Sequence, residues 1–137
     1  MKRITVTTAF VLAVALLTAS AAPKQKPVDV TKLPPASDKT GVTYATDIKP
    51  VFEKACAKCH GPEKQKANLR LDSLAAALKG SDIGPVIVPG ESARSKLVHC
   101  VARLGDEGEF MPPPGKGDPL TNEQIGLIRA WIDQGAK

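Results

Sequence analysis

The chain has 137 residues, of which 42% are hydrophobic but only 4% aromatic, and its formal net charge is +5. That length suits one domain with additional segments. Charges of both signs are mixed along the chain, so the mild basic excess is no nucleic-acid footprint and bears mainly on solubility and docking kinetics.

Lys2 and Arg3 precede an unbroken apolar stretch from Ala9 to Leu17. Ala19-Ser20-Ala21 follows with the small-x-small pattern that a signal peptidase cleaves, and Ser20-Ala21-Ala22 repeats it one residue on. The apolar stretch is well short of the roughly 20 residues that span a bilayer. Residues 1–21 are therefore expected to form a cleaved signal peptide, with cleavage after Ala21 or Ala22. The mature protein is expected in a bacterial periplasm or otherwise exported, with no transmembrane segment after signal cleavage. No cysteine at the cleavage site supports a lipid anchor, and losing Lys2 and Arg3 lowers the net charge by two.

Residues 22–41 are rich in Pro, Lys and Ser and are expected to form a flexible, extended linker. The globular domain is expected over residues 42–137. A domain of that size buries only about 60 to 65% of its unfolded surface. With Phe10 in the signal, Tyr44, Phe52, Phe110 and Trp131 are the aromatic residues left to fill a core. A flat, largely apolar cofactor would supply the missing bulk.

Helix signals outnumber strand signals along this domain. A first helix is predicted from near Thr46 or Asp47 toward the cysteines, with Pro50 tolerated in its first turn and Ile48, Val51 and Phe52 on its buried side. Asp72 or Ser73 opens a short helix that Gly80 closes, and Ser92 or Ser95 opens another through about Arg103. Between them, Ile83 to Pro89 is extended at most. The connection from Leu104 to Leu120 contains three consecutive prolines and several glycines, and is too long to be idle in a compact domain. In the last helix Thr121 and Gln124 make a capping box, Ile125, Leu127, Ile128, Trp131 and Ile132 share one face, and Gly135 ends the run. No internal repeat is present.

Cys56-Ala57-Lys58-Cys59-His60 has the C-x-x-C-H spacing of covalent c-type haem attachment. Two thiols three positions apart project from one turn and can add to the two vinyl groups of the porphyrin. His60 then falls beneath the iron as its proximal ligand. Export agrees with this, because c-type haem is joined to its apoprotein outside the cytoplasm. A thioredoxin-like pair would follow a strand, and no strand is predicted before Cys56. An iron–sulfur cluster asks for four cysteines, and there are three. Zinc held by Cys56, Cys59, His99 and Cys100 is arithmetically possible but leaves His60 unexplained.

Once Met1 leaves with the signal, Met111 is the one methionine remaining, and it lies in Phe110-Met111-Pro112-Pro113-Pro114 on the long connection. Prolines there can hold its thioether over the iron as the distal ligand. The alternative is a methionine that fills core space. His/Met ligation raises the iron potential and fills both axial positions, which favours electron transfer over catalysis. His99 is a rival second imidazole or a packed helix residue. Cys100 is the odd thiol, either a small buried hydrophobe or the donor of an intermolecular disulfide. Lys54, Lys58, Lys64 and Lys66 around the cysteine pair form either a solvated face or a positive rim that steers acidic redox partners.

Together with Asp47-Ile48-Lys49-Pro50, Leu69-Arg70-Leu71-Asp72-Ser73, Val88-Pro89-Gly90, Leu120-Thr121 and Trp131-Ile132, these residues resemble the class I cytochrome c fold. More narrowly, they resemble the planctomycete-type cytochrome c domain, over about Tyr44 to Ala136. The resemblance implies an all-α, small class I cytochrome c fold with about four to five helices wrapped around one covalently bound haem c per chain. It implies that the first and last helices cross, with Ile48 and Phe52 against Ile128 and Trp131. Functional positions carry over at Cys56, Cys59, His60 and Met111. Many class I members use a proline carbonyl to orient the proximal imidazole, and here Pro62 comes early and Pro85 late. Arg70 either pairs with a haem propionate or faces solvent.

The expected function is electron transfer by an exported mono-haem c-type cytochrome that is not itself an enzyme and exchanges electrons with redox partner proteins. Alternatives are a haem-bearing subunit of a larger exported oxidoreductase complex, a gas sensor or peroxidase with an open axial position, and a zinc-stabilised interaction module.

Overall fold

The computed structural model describes residues 27–137, so the expected signal peptide over 1–21 lies outside the described residues. Among the described residues four α-helices form and no β-strand does: α1 is Lys49–Ala55, α2 Leu74–Lys79, α3 Lys96–Val101 and α4 Asn122–Asp133. The expected all-α architecture is therefore present among the described residues. Short 3-10 turns at Lys66–Asn68, Ser92–Arg94 and Glu107–Glu109 punctuate the connections.

The chain enters α1 through a π-helical turn, Tyr44–Ile48, and so begins to coil before the expected start at Thr46 or Asp47. Thr43 is the cap. Its side chain accepts from the Thr46 N–H, and the Asp47 carboxylate reaches back to the Thr43 N–H at 3.0 Å. This exchange satisfies helix-end donors as a capping box does, with one residue more between the partners. Pro50 falls in the first turn of α1, where no intrahelical N–H is needed. The Asp47 carboxyl is held well below the usual carboxylate range, at about 2, chiefly by its bond to Lys39 and then by the Thr43 N–H.

At the other end of the domain, Thr121 and Gln124 exchange both bonds of the expected capping box. Gly135, at φ 101°, turns the chain out of α4 while Ala136 N–H returns to the Trp131 carbonyl at 2.9 Å. Ser73 caps α2 as expected, and Gly80 closes it. Ser95 precedes α3 but spends its hydroxyl elsewhere: Oγ accepts from Val88 N–H at 2.9 Å and donates to the Glu91 carbonyl at 3.0 Å. Its role is to tie the extended segment before α3 to the helix start.

The crossing of the first and last helices takes place through three aromatic rings. Phe52 of α1 meets Trp131 of α4 edge-to-face at 6.3 Å, and Tyr44 lies 5.9 Å from Trp131 and 6.3 Å from Phe52. Ile48, Phe52, Ile128 and Trp131 are all fully buried. The two polar ring atoms find partners: Tyr44 Oη donates to the Leu71 carbonyl at 2.8 Å, and Trp131 Nε1 donates to the Lys137 carbonyl at 2.9 Å. Burial pushes the Tyr44 hydroxyl up to about 12.

Part of the stretch read as a flexible linker is bound to α4. Arg129 donates to the Pro34 carbonyl, Ser37 N–H to the Gly126 carbonyl at 2.9 Å, and Gln134 Nε2 to the Lys39 carbonyl at 2.8 Å. Gly126 makes room for this: a Cβ there would stand 2.8 Å from the Pro35 carbonyl oxygen. Composition suggested a tether because residues 22–41 bring few large apolar groups, whereas the attachment uses backbone carbonyls and amides.

Trp131→Ala is expected to lower unfolding free energy by about 3–5 kcal/mol, and Thr121→Ala by about 1 kcal/mol, with urea unfolding as the measure. Equal losses would contradict the central place given to the rings. Asp47→Asn is expected to lower the urea midpoint near neutral pH. Because the folded carboxyl is depressed, its contribution is full above the ordinary carboxylate value and fades as pH falls toward about 2. The two proteins should therefore converge in acid.

Candidate functional site

α1 stops at the first cysteine. Cys56 N–H still donates to the Phe52 carbonyl at 2.8 Å, after which Cys56 to Cys59 continue as turns rather than as α-helix. Cys59 N–H and His60 N–H both return to the Cys56 carbonyl, at 3.0 and 2.9 Å. The chain then doubles back. Gly61 N–H donates to the Lys64 carbonyl at 2.9 Å, Lys66 N–H to the Cys59 carbonyl at 3.0 Å, and Leu71 N–H to the His60 carbonyl at 2.7 Å. These bonds fasten the motif between the end of α1 and residues 64–71.

Gly61 is required at the reversal. A Cβ there would fall on the Ala57 carbonyl oxygen, which is backbone and cannot swing aside. A glycine directly after the motif is the one sequence signal that could have identified this position.

His60 is only 8% exposed, and its Nδ1 is buried with no hydrogen-bond partner among the described residues. Burial lowers its pKa, the Leu69 and Lys66 carbonyls oppose that, and the Lys66 charge adds to the lowering. On balance burial favours the neutral form of the ring. Pro62 makes no hydrogen bond to Nδ1; its carbonyl accepts from Gln65 Nε2 at 3.4 Å. An unpaired buried ring nitrogen is costly unless something else engages the imidazole. Cys56 is buried, which together with Cys59 pushes its thiol up to about 12, while Cys59 is half-exposed. Two reduced thiols on one turn, beside a neutral imidazole with an orphaned nitrogen, fit the donor set that a c-type haem requires.

Met111 is half-buried and packs on the same core cluster that contains Cys56. Its N–H donates to the Cys100 carbonyl at 3.0 Å, fixing the loop to the end of α3, and its bond to Pro112 is cis. His99 is engaged elsewhere, with Nε2 2.7 Å from the Ala93 carbonyl oxygen. Cys100 is half-buried, and burial raises its thiol pKa. Arg70 spends its fork on Asp72, with Nε and Nη2 donating at 2.9 and 2.6 Å.

Among the described residues no three His, Cys, Asp or Glu side chains come together as a metal cluster, so the zinc set of Cys56, Cys59, His99 and Cys100 is not assembled. No helix among them is long and apolar enough to cross a membrane. Two clefts lie away from the motif. One of about 410 Å³ separates residues 35–38 from Asn122, Glu123 and Gly126, and one of about 270 Å³ lies between Pro27, Asp29, Lys32 and Arg103 to Gly105. Both are seams where the N-terminal stretch meets the domain, not parts of this site.

Residues 56–115 match the family model of planctomycete cytochrome C. No curated protein and no solved structure matches the chain. The matched segment begins at the first cysteine of the motif and includes Met111.

Gly61→Ala is expected to cut the yield of covalently haem-loaded protein several-fold, because the loop after His60 must move to admit the methyl group. Pyridine haemochrome absorbance per polypeptide measures it. A yield equal to that of the parent protein would show that the tight reversal is not needed for attachment.

Proposed function

We propose that this chain, which carries a planctomycete-type cytochrome c domain, is an exported mono-haem c-type cytochrome that carries electrons between partner proteins. The family match supports haem binding and electron transfer. The observation that carries the finer assignment is the neutral, buried His60 ring with its unpartnered nitrogen, fixed directly after Cys56 and Cys59.

In this reading Cys56 and Cys59 would form the two thioether bonds to one haem per chain, and His60 and Met111 would ligate its iron. The haem supplies a reversible one-electron couple at its iron. The protein supplies position and exclusion of water. Burial favours the neutral form of the His60 imidazole, the form that could donate a lone pair, and the bond from Leu71 N–H to the His60 carbonyl limits movement of its backbone. Met111, tied by its N–H to the Cys100 carbonyl at 3.0 Å, would supply the second iron ligand opposite in role to His60, which would favour electron transfer over substrate chemistry.

Lys54, Lys58, Lys64 and Lys66 are exposed around the motif. Their clustering supports a positive rim that speeds encounter with acidic redox partners. Lys2, Arg3 and the apolar run from Ala9 to Leu17 support export.

Protein matured with the haem-attachment machinery is expected to show a c-type absorption spectrum, and its colour should stay with the polypeptide after acid–acetone extraction. Haem that leaves with the solvent would overturn the thioether assignment. Met111→Ala is expected to lose the thioether-to-iron charge-transfer band of the ferric protein, to lower the reduction potential, and to let carbon monoxide bind the ferrous form. An unchanged spectrum and potential would refute Met111 as the ligand.

A further inference from the structure

Arg103 ends α3 in a conformation that disfavours it. Its φ is 56°, in the left-handed region, where a helix end ordinarily takes glycine or asparagine. The backbone bonds of such an end are made: Arg103 N–H donates to the Cys100 carbonyl at 3.2 Å, and Leu104 N–H to the His99 carbonyl at 2.9 Å. Glycine would make both without strain, so the backbone gives no reason for an arginine.

The side chain does. Arg103 Nη2 donates to the Pro112 carbonyl at 3.2 Å, and the guanidinium carbon lies 5.6 Å from the centroid of the Phe110 ring, within cation–π range. Phe110 and Pro112 are the residues on either side of Met111. Met111 itself is tied by its N–H to the Cys100 carbonyl, at the same helix end. Meanwhile Arg103 Nε is buried without a partner among the described residues. A guanidinium seated to satisfy its own donors would not leave one unpaired. Strain in the main chain and an unmet donor in the side chain both point to a requirement imposed from outside Arg103.

We propose that Arg103 is a positioning residue, a clamp that grips both neighbours of Met111 and holds its thioether at the axial position. This rests on the reading of Met111 as the distal ligand. The clamp needs a donor at the Pro112 carbonyl and a planar cation over the Phe110 ring at the same time, a pair of contacts that the single ammonium of lysine does not match.

The test compares the haem-loaded parent protein with Arg103→Gly, Arg103→Lys and Met111→Ala. Arg103→Gly relieves the strained φ while deleting the clamp, and Arg103→Lys keeps the charge without the fork. Both are expected to retain covalent haem and the parent's helical circular dichroism. Both should nevertheless weaken the ferric thioether charge-transfer band, and in Arg103→Gly ferrous carbon monoxide affinity should rise about tenfold, the size expected for losing one hydrogen bond from a charged donor. If both keep the parent's band and affinity while Met111→Ala loses the band, the clamp is refuted and the ligand stands. If Met111→Ala keeps the band, the ligand assignment fails and the clamp fails with it. Should Arg103→Gly not accumulate with haem, Arg103→Lys decides by the same readouts.

Discussion

The packing of Trp131 against Phe52 and Tyr44 is the contact on which the other features depend. It joins the last helix to the first across the full length of the domain and leaves no ring exposed. Phe52 sits one turn before Cys56, whose N–H bonds back to the Phe52 carbonyl. Fixing that ring therefore fixes where α1 stops and where the cysteine turn begins. In a domain this poor in aromatic residues, a single edge-to-face cluster does work that larger proteins distribute over many side chains.

Around this cluster, polar groups are matched with few exceptions. Arg129 bridges the Pro34 carbonyl and Ser92 Oγ, and Asp133 accepts from both the N–H and the hydroxyl of Ser92. The network ties the N-terminal stretch, the turn before α3 and the end of α4 into one unit. Ser92 and Ser95 are buried, and each hydroxyl is engaged. Such satisfaction is the ordinary condition of a folded interior.

Against that background two buried side-chain nitrogens without partners among the described residues, His60 Nδ1 and Arg103 Nε, stand out. One belongs to the residue that follows the cysteine pair. The other belongs to the residue that grips the loop bearing Met111. The local cost takes two forms, a desolvated imidazole and a left-handed arginine. Arg70 shows the contrast: its fork is fully occupied by Asp72 two residues away, so its geometry asks for nothing further.

The amino-acid order determined what depends on neighbours along the chain. The spacing of Cys56, Cys59 and His60 fits the haem-attachment motif, and Thr121 with Gln124 specifies a helix start, because each acts within a few residues of backbone. Ser73 and Gly80 bounded α2 for the same reason. Tertiary structure decided what depends on groups brought from far away. The chain begins to coil at Tyr44, ahead of α1, because the Asp47 carboxylate turns back to the Thr43 N–H, and residues 34–39 joined the domain because Arg129, Gly126 and Gln134 bind their backbone. The clamp at Arg103 was invisible in the sequence, since a positive φ and a bond to Pro112 leave no mark on residue type. Periodicity and spacing record local geometry; the long-range pairing of backbone carbonyls with distant side chains is recorded only in the folded chain.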